Sequence, residues 1–306
     1  DVGKFNKSLR DFKGKKYLNT MIYETAKNYK PDLILLGHSY DIETETIEKI
    51  KDYSKNTVIS QWFEDHLADT GPDYSSNRKK LLKYDEFISS NFITTHPSTL
   101  DFLKKKKNFH YLPIPVDKNI EKLKIYENKN QICDVFFSMS HGVNRGKLKR
   151  DKEDERHNFI TNLITQCPNI IFDIYGYKNR EPVWAEDFYK VIVNSKMALN
   201  LTRGKPLKYL TSNRIASLIG NGLLTFIDKR TKLDNFFSKN EVVFYSNLQD
   251  LAEKINQFKG NDIARMKVAK NGRKKYFELF ECQKVSDYII SKSFNRENLK
   301  RLKWMD

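Results

Sequence analysis

Residues 30–37 read Lys30-Pro31-Asp32-Leu33-Ile34-Leu35-Leu36-Gly37. The helical period of residues 15–29 stops at Pro31, four aliphatic residues follow without a polar interruption, and a glycine closes the run. An unalternated apolar run of this length predicts a strand covered on both faces, as in a parallel sheet, rather than one with a wet side. The same pattern of helix, turn and apolar strand recurs. Residues 43–53 predict a helix and 57–60 a strand, then 77–82 a helix and 86–89 a strand, with a further helix over 98–107. Residues 111–116 carry Pro113 and Pro115, each lacking a ladder donor, and so predict an edge strand leaving the domain.

The stretch 117–131 is polar, charged and aperiodic, which marks a linker. A second series follows it. Strands are expected at 134–138, 170–176, 197–201, 223–227 and 241–245, and helices at 153–166, 187–194, 213–219, 248–258, 262–280 and 284–294. The fold class is therefore α/β, with two Rossmann-like, doubly wound domains in series. The first is expected over 1–116 and the second over 132–282, with 283–306 as a closing helix and basic tail.

Composition narrows the function. With 306 residues, 39% hydrophobic and 31% charged, the chain has core and surface enough to exclude both intrinsic disorder and a small disulfide scaffold. Cys133, Cys167 and Cys282 are odd in number and lack CxxC spacing, which fits reduced thiols in a cytoplasmic protein. The most apolar stretch, 215–227, is interrupted by Gly220, Asn221 and Gly222 and is too short to span a bilayer. The chain opens on Asp1, from which a missing natural N-terminus is expected. Lys+Arg 55 against Asp+Glu 39 gives a net charge of +16, which calls for an anionic partner without choosing one.

Charge is also distributed unevenly. Between Asp187 and Asp228 there is no acidic residue, yet Lys190, Lys196, Arg203, Lys205, Lys208 and Arg214 lie there. Ser212 and Asn213 precede an apolar helical run with Arg214 in its first turn, a pattern that suits a diphosphate at a helix start. The alternative is an Arg214 that pairs with a neighbouring element while the lysines are solvated. The loop after the strand at 134–138 holds Ser140 and Gly142 where doubly wound domains bind ligands, although neither P-loop nor GxGxxG spacing is present. Tyr175 and Tyr177 flank Gly176 at another strand end, where they form either an aromatic wall for a nucleobase or ordinary packing. In the first domain, His38 follows one strand and Asp65 and His66 another, so each is a candidate general base and equally a structural loop residue. The six histidines show no metal-ligand spacing and no DxD occurs, so neither a metal nor any other cofactor is expected. A nucleic-acid-binding reading, prompted by charge and by 20 Phe and 16 Tyr, lacks any RRM, KH, zinc-finger or helix-turn-helix signature, and no nucleic-acid partner is expected.

The stretches Ser195-Lys196-Met197-Ala198-Leu199-Asn200-Leu201, Thr211-Ser212-Asn213-Arg214-Ile215-Ala216-Ser217-Leu218-Ile219-Gly220-Asn221-Gly222 and Glu241-Val242-Val243-Phe244-Tyr245 together resemble the C-terminal half of glycosyltransferases of the GT-B fold. The nearest pattern is that of the CgeB-like, spore-maturation group. The resemblance covers roughly residues 133–280 and implies two domains facing a cleft, with a nucleotide sugar as substrate on the second and a glycan or lipid-linked acceptor on the first. It implies transfer without a metal, in the cell-envelope branch of such chemistry. Asn200, Lys208, Ser212, Asn213, Arg214 and Ser217 fall at donor-binding places of the pattern. Ser217 stands where such families carry a glutamate, and the acid-free stretch supplies no substitute, so either the donor is held differently, the sugar is itself acidic, or the site is degenerate; a basic pocket without carboxylates favours an anionic sugar. A βαβ opening of about 30 residues is expected upstream of Asp1.

The tail adds a location. Residues 259–306 hold 13 Lys+Arg against 6 Asp+Glu, and Leu299, Leu302, Trp304 and Met305 stand among basic neighbours. This suits either a short interfacial helix on the anionic inner face of a membrane or a helix packed on the first domain.

Overall fold

The computed structural model describes residues 14–139, 155–296 and 302–304. The chain forms two compact units that divide between Leu112 and Pro113, the first regaining the chain at Ser286 and the second taking Leu302 onward.

In the first unit the order is α1 (Lys15–Tyr29), β1 (Leu33–Gly37), α2 (Thr44–Tyr53), β2 (Val58–Phe63), α3 (Tyr74–Leu81), β3 (Ser90–Ile93) and β4 (Phe109–Tyr111). Its sheet is parallel throughout in the order β1-β2-β3-β4. Leu36 and Ile59 join Ile47 of α2 and Tyr84 and Ile88 in one core. The start of α2 is held by an unexpected residue. Asn19, buried on α1, accepts the Glu43 N–H at 2.7 Å and the Thr46 hydroxyl at 2.8 Å.

Two expected elements differ. Residues 86–89 are not a strand; a 3-10 turn at Asp85–Phe87 precedes β3, which begins one residue later with Ser90 and Asn91. These polar residues are buried because partners outside the strand satisfy them: Gln61 donates to Asn91 Oδ1 at 2.5 Å and Ser90 donates to the Lys292 carbonyl at 3.1 Å. The helix expected over 98–107 is two 3-10 turns, Pro97–Thr99 and Asp101–Leu103, the first capped by the His96 ring. Of the four lysines at 104–107, Lys104 and Lys107 would face each other at i,i+3 in a continued α-helix, a like-charge pair that disfavours it.

The second unit contains β5 (Cys133–Ser138), α4 (Glu155–Gln166), β6 (Phe172–Tyr175), α5 (Ala185–Ile192), β7 (Ser195–Asn200), α6 (Arg214–Gly220), β8 (Leu224–Asp228), β9 (Val243–Tyr245), α7 (Leu248–Lys259) and α8 (Asp262–Phe280). The helix α9 (Cys282–Ser293) then leads back to the first unit. The parallel sheet runs β6-β5-β7-β8-β9, so the strand order reverses between β5 and β7. Side chains alternate across it. Val135, Phe137, Met197 and Leu199 enter the core shared with α4, α7 and α8, while Phe136 and Ala198 enter the opposite core with α5 and α6. In this unit the continuous apolar runs are thus the signature of two covered faces, whereas in the first unit the run of β1 buries only Leu36 and leaves Leu35 41% exposed.

Residues 117–131 belong to this second unit. Ile125 donates its N–H to the Asn221 carbonyl at 2.7 Å, Tyr126 packs where a side chain at Gly222 (φ +83°) would sit, and Glu121 is buried with its carboxylate accepting the Asp117 N–H at 2.8 Å.

Candidate functional site

At the carboxyl ends of β7 and β8, beside the first turn of α4, lies a pocket of about 250 Å³. Asn200, Leu201, Thr211, Glu155, Asp228 and Arg230 are among its walls. This is the end of a doubly wound sheet at which ligands bind. Asn200 is 5% exposed, and among the described residues its Oδ1 has no hydrogen-bond partner. Asp228 accepts from Arg230 Nη2 at 2.6 Å and Nε at 3.0 Å, and this carboxylate raises the guanidinium's pKa. Glu155 Oε1 accepts the N–H of Gly204, whose φ of +78° turns the loop toward α4.

Arg214 lies just behind this wall. Its Nη2 donates to the Leu201 carbonyl at 2.7 Å, and its guanidinium sits 5.5 Å above the Phe137 ring at the end of β5. The helix start differs from the expected array of open donors. Ser212 Oγ accepts the Arg214 N–H at 3.4 Å, the Ser212 carbonyl accepts that of Ile215 at 3.0 Å, and the Asn213 carbonyl that of Ala216 at 3.3 Å. Asn213 is the N-cap but makes no side-chain cap bond. Positive charge here therefore resides in the guanidinium.

Other sequence candidates are placed elsewhere. Tyr177 is buried, with its hydroxyl 2.8 Å from that of Thr161 and its ring against His157. Tyr175 lies under the Arg180 guanidinium at 3.7 Å, and Arg180 is paired with Asp173 at 2.6 Å, so neither tyrosine is an open wall. Lys208 packs over the Tyr209 ring. Ser217 faces Tyr189, hydroxyl to hydroxyl at 3.4 Å, and Tyr189 also donates to Glu121 at 3.3 Å. A carboxylate does stand near Ser217, then, supplied from residues 117–131. Ser140 and Gly142 fall outside the described residues.

In the first unit, the loops at the carboxyl ends of β1 and β2 meet at His38. Its Nε2 lies 2.8 Å from Glu64 Oε1 and its Nδ1 3.1 Å from the Tyr40 hydroxyl, with the Trp62 ring edge-on at 5.3 Å. His38 is held at φ +49°, a backbone region that is uncommon outside glycine. The Tyr40 hydroxyl is pushed up to about 12, chiefly by burial and further by the Asp65 and Glu64 charges. His66 is buried, and its Nδ1 accepts the Ala68 N–H at 3.2 Å, while Asp65 is exposed. The structure thus brings Glu64 and Tyr40 to His38 rather than joining His38 to Asp65 and His66. Contacts across 26 residues leave no local signal in sequence.

Among the described residues, no group of three or more His, Cys, Asp and Glu is placed to hold a metal ion, and no helix is long and apolar enough to cross a membrane.

The family described as glycosyl transferase-like matches residues 152–291, a span that includes every wall residue named for the Asn200 pocket. No curated protein sequence matches the chain. Among solved structures, Anabaena HepE in complex with UDP is similar at a TM-score of 0.61 with 13% identity, covering 91% of this chain and 82% of that one. A glycosyltransferase from Rickettsia africae is similar at 0.54 with 12% identity, covering 93% and 82%. Sucrose-phosphate synthase from Thermosynechococcus elongatus is similar at 0.54 with 9% identity, covering 93% and 78%. At these identities the likeness is one of fold, and it is the GT-B fold of two parallel α/β sheets in series.

Proposed function

We propose that the chain is a glycosyltransferase that moves a sugar from a nucleotide sugar to a glycan or lipid-linked acceptor without a bound metal. The observation that carries this reading is the coincidence of the glycosyl transferase-like match over 152–291 with the pocket around Asn200. That the similar HepE has been solved with UDP and with UDP-glucose supports a nucleotide sugar as the ligand class. The finer kinship, with the CgeB-like group, rests on the motif residues from Ser195 to Tyr245.

In this reading the bond between the sugar and the diphosphate breaks and an acceptor oxygen takes the sugar. Arg214 and Lys208 neutralise the departing diphosphate, with Ser212 and Asn213 as hydrogen-bonding neighbours in the same stretch, a role that needs no metal when charge is fixed in advance. His38, of the candidates His38, Asp65 and His66, has its ring paired with a carboxylate that stabilises the imidazolium formed when it accepts the acceptor's proton. We place the protein in the cytoplasm. Attachment to an anionic membrane face would rest on the tail's basic residues and Leu299 rather than on Trp304, which is buried.

Thermal-shift measurement with UDP, GDP, CMP and ADP, and with short RNA as contrast, tests the reading. One nucleotide is expected to raise the melting temperature, and Arg214→Ala to weaken it about tenfold to a hundredfold, as loss of a charged hydrogen bond does. Turnover is expected to survive EDTA. Stabilisation by RNA alone, or nucleotide affinity untouched in a folded Arg214→Ala protein, overturns it.

A further inference from the structure

At the carboxyl ends of β1 and β2 both ring nitrogens of His38 are engaged. Nε2 lies 2.8 Å from Glu64 Oε1, and since a carboxylate only accepts, Nε2 carries the proton of the neutral ring. Nδ1 is then the bare nitrogen, and the Tyr40 hydroxyl, 3.1 Å away, donates to it. The lone pair with which His38 takes up a proton is therefore covered by Tyr40.

Three contacts hold Tyr40 in place. Its backbone carbonyl accepts from Lys83 Nζ at 3.0 Å, and its ring lies under Lys80 Nζ at 4.4 Å and beside the Phe63 ring at 6.4 Å. His38 is bracketed in turn by the Trp62 ring, edge-on at 5.3 Å, which lies so close to the backbone that a Cβ at Gly37 would stand 2.1 Å from the indole Nε1. The Tyr40 oxygen spends its proton on Nδ1 and keeps lone pairs that an incoming hydroxyl can meet. Alone, Tyr40 would be a poor base, because burial and the Asp65 and Glu64 charges push its hydroxyl up to about 12 and make the phenolate scarce at neutral pH. Passing one proton on while taking another avoids the phenolate altogether.

We propose that Tyr40 is a catalytic residue that relays the acceptor's proton to His38. The inference rests on the glycosyl-transfer reading given above. The acceptor's hydroxyl proton moves to Tyr40 Oη as the Tyr40 proton moves to His38 Nδ1. The acceptor oxygen bonds to the anomeric carbon of the sugar, and the bond from that carbon to the diphosphate breaks, its electron pair leaving with the diphosphate. Glu64 holds the resulting imidazolium at Nε2.

Nitrogen NMR of the full chain, with the His38 signals assigned against His38→Gln, tests the hydrogen bonding without any substrate. In the neutral ring Nε2 is expected to be protonated and Nδ1 bare, and Tyr40→Phe is expected to shift the Nδ1 resonance as its donor is lost. Release of UDP from UDP-glucose with water as the acceptor tests the relay, with GDP-mannose in parallel. Tyr40→Phe and His38→Gln are each expected to slow release about a hundredfold while UDP binding is kept. The double variant is expected to be no slower than the slower single one, because both changes cut one proton path, whereas a purely structural part for Tyr40 would add its own loss. Melting temperatures report whether the variants are folded, and the wild-type NMR keeps the test open should one not be. A protonated Nδ1, an Nδ1 resonance indifferent to Tyr40→Phe, additive losses, or a folded Tyr40→Phe protein as fast as wild type overturns the relay and leaves glycosyl transfer standing. A wild-type chain that binds a nucleotide and releases none also overturns the relay, and one that binds no nucleotide overturns the glycosyl-transfer reading with it.

Discussion

His110, on β4, sits between the rings of Phe92 at 5.6 Å and Tyr288 at 6.3 Å. Burial, and secondarily the charge of Lys292, lowers its pKa from 6.5 to about 4. The folded protein thus keeps a neutral imidazole where the unfolded chain takes up a proton. Stability from this group is complete above pH 6.5 and is lost as the pH falls toward 4, by about 2–3 kcal/mol at pH 4.5. His110→Phe removes that loss. Urea unfolding of both proteins at pH 7.5 and pH 4.5 is expected to show the variant gaining about 2–3 kcal/mol relative to wild type on acidification, and parallel pH curves would refute the account. A single residue's surroundings are the least legible level of a sequence. His38, Asp65 and His66 have the same kind of address, just past a strand, yet His66 turns its ring back to the Ala68 N–H and Asp65 points to solvent. His38 meets a carboxylate, Glu64, that is not among the candidates. Asn200 is legible through the Asn-Leu of the resemblance alone, and the structure ends β7 on it as a buried residue.

Elements are more legible when their own residues explain their burial. β5, β7 and β8 are apolar along their length and face a core on both sides, so their sequence states their place. β3 is hidden from such reading because Ser90 and Asn91 find their partners on Lys292 and Gln61, far along the chain. A similar long-range constraint governs α8, whose Gly272 is buried beside the Glu241 backbone and the Ile219 side chain of α6. A Cβ there would stand 2.1 Å from the Glu241 carbonyl oxygen. Replacing a helical glycine by alanine ordinarily gains about 1 kcal/mol, but contact with rigid backbone forces the helix away at a cost of about 1–3 kcal/mol or more. The clash is expected to win. Gly272→Ala should lower the denaturation midpoint at unchanged slope, and a variant more stable than wild type would mean that α8 has room to move.

For the whole molecule, the basic residues of 259–306 suit either a tail that meets a membrane through its apolar side chains or one packed on the first domain. Trp304 answers differently: it is 1% exposed, its indole N–H donates to the Leu279 carbonyl at 3.0 Å, and its ring lies 6.5 Å from that of Phe280. The tail's composition could not reveal this, because an amphipathic pattern serves a protein surface as well as a lipid one. The packing closes the end of α8, so Trp304→Ala opens a cavity in the second unit and is expected to cost about 3–5 kcal/mol. Trp304→Phe, which keeps most of the ring but loses the indole donor, should cost less. Vesicle binding separates fold from membrane: below its melting temperature, the alanine variant is expected to bind vesicles rich in acidic lipid as wild type does, with the same decline as salt screens the basic residues. An unchanged melting temperature together with lost vesicle binding would instead put the indole in the lipid, and the buried position of Trp304 would be wrong.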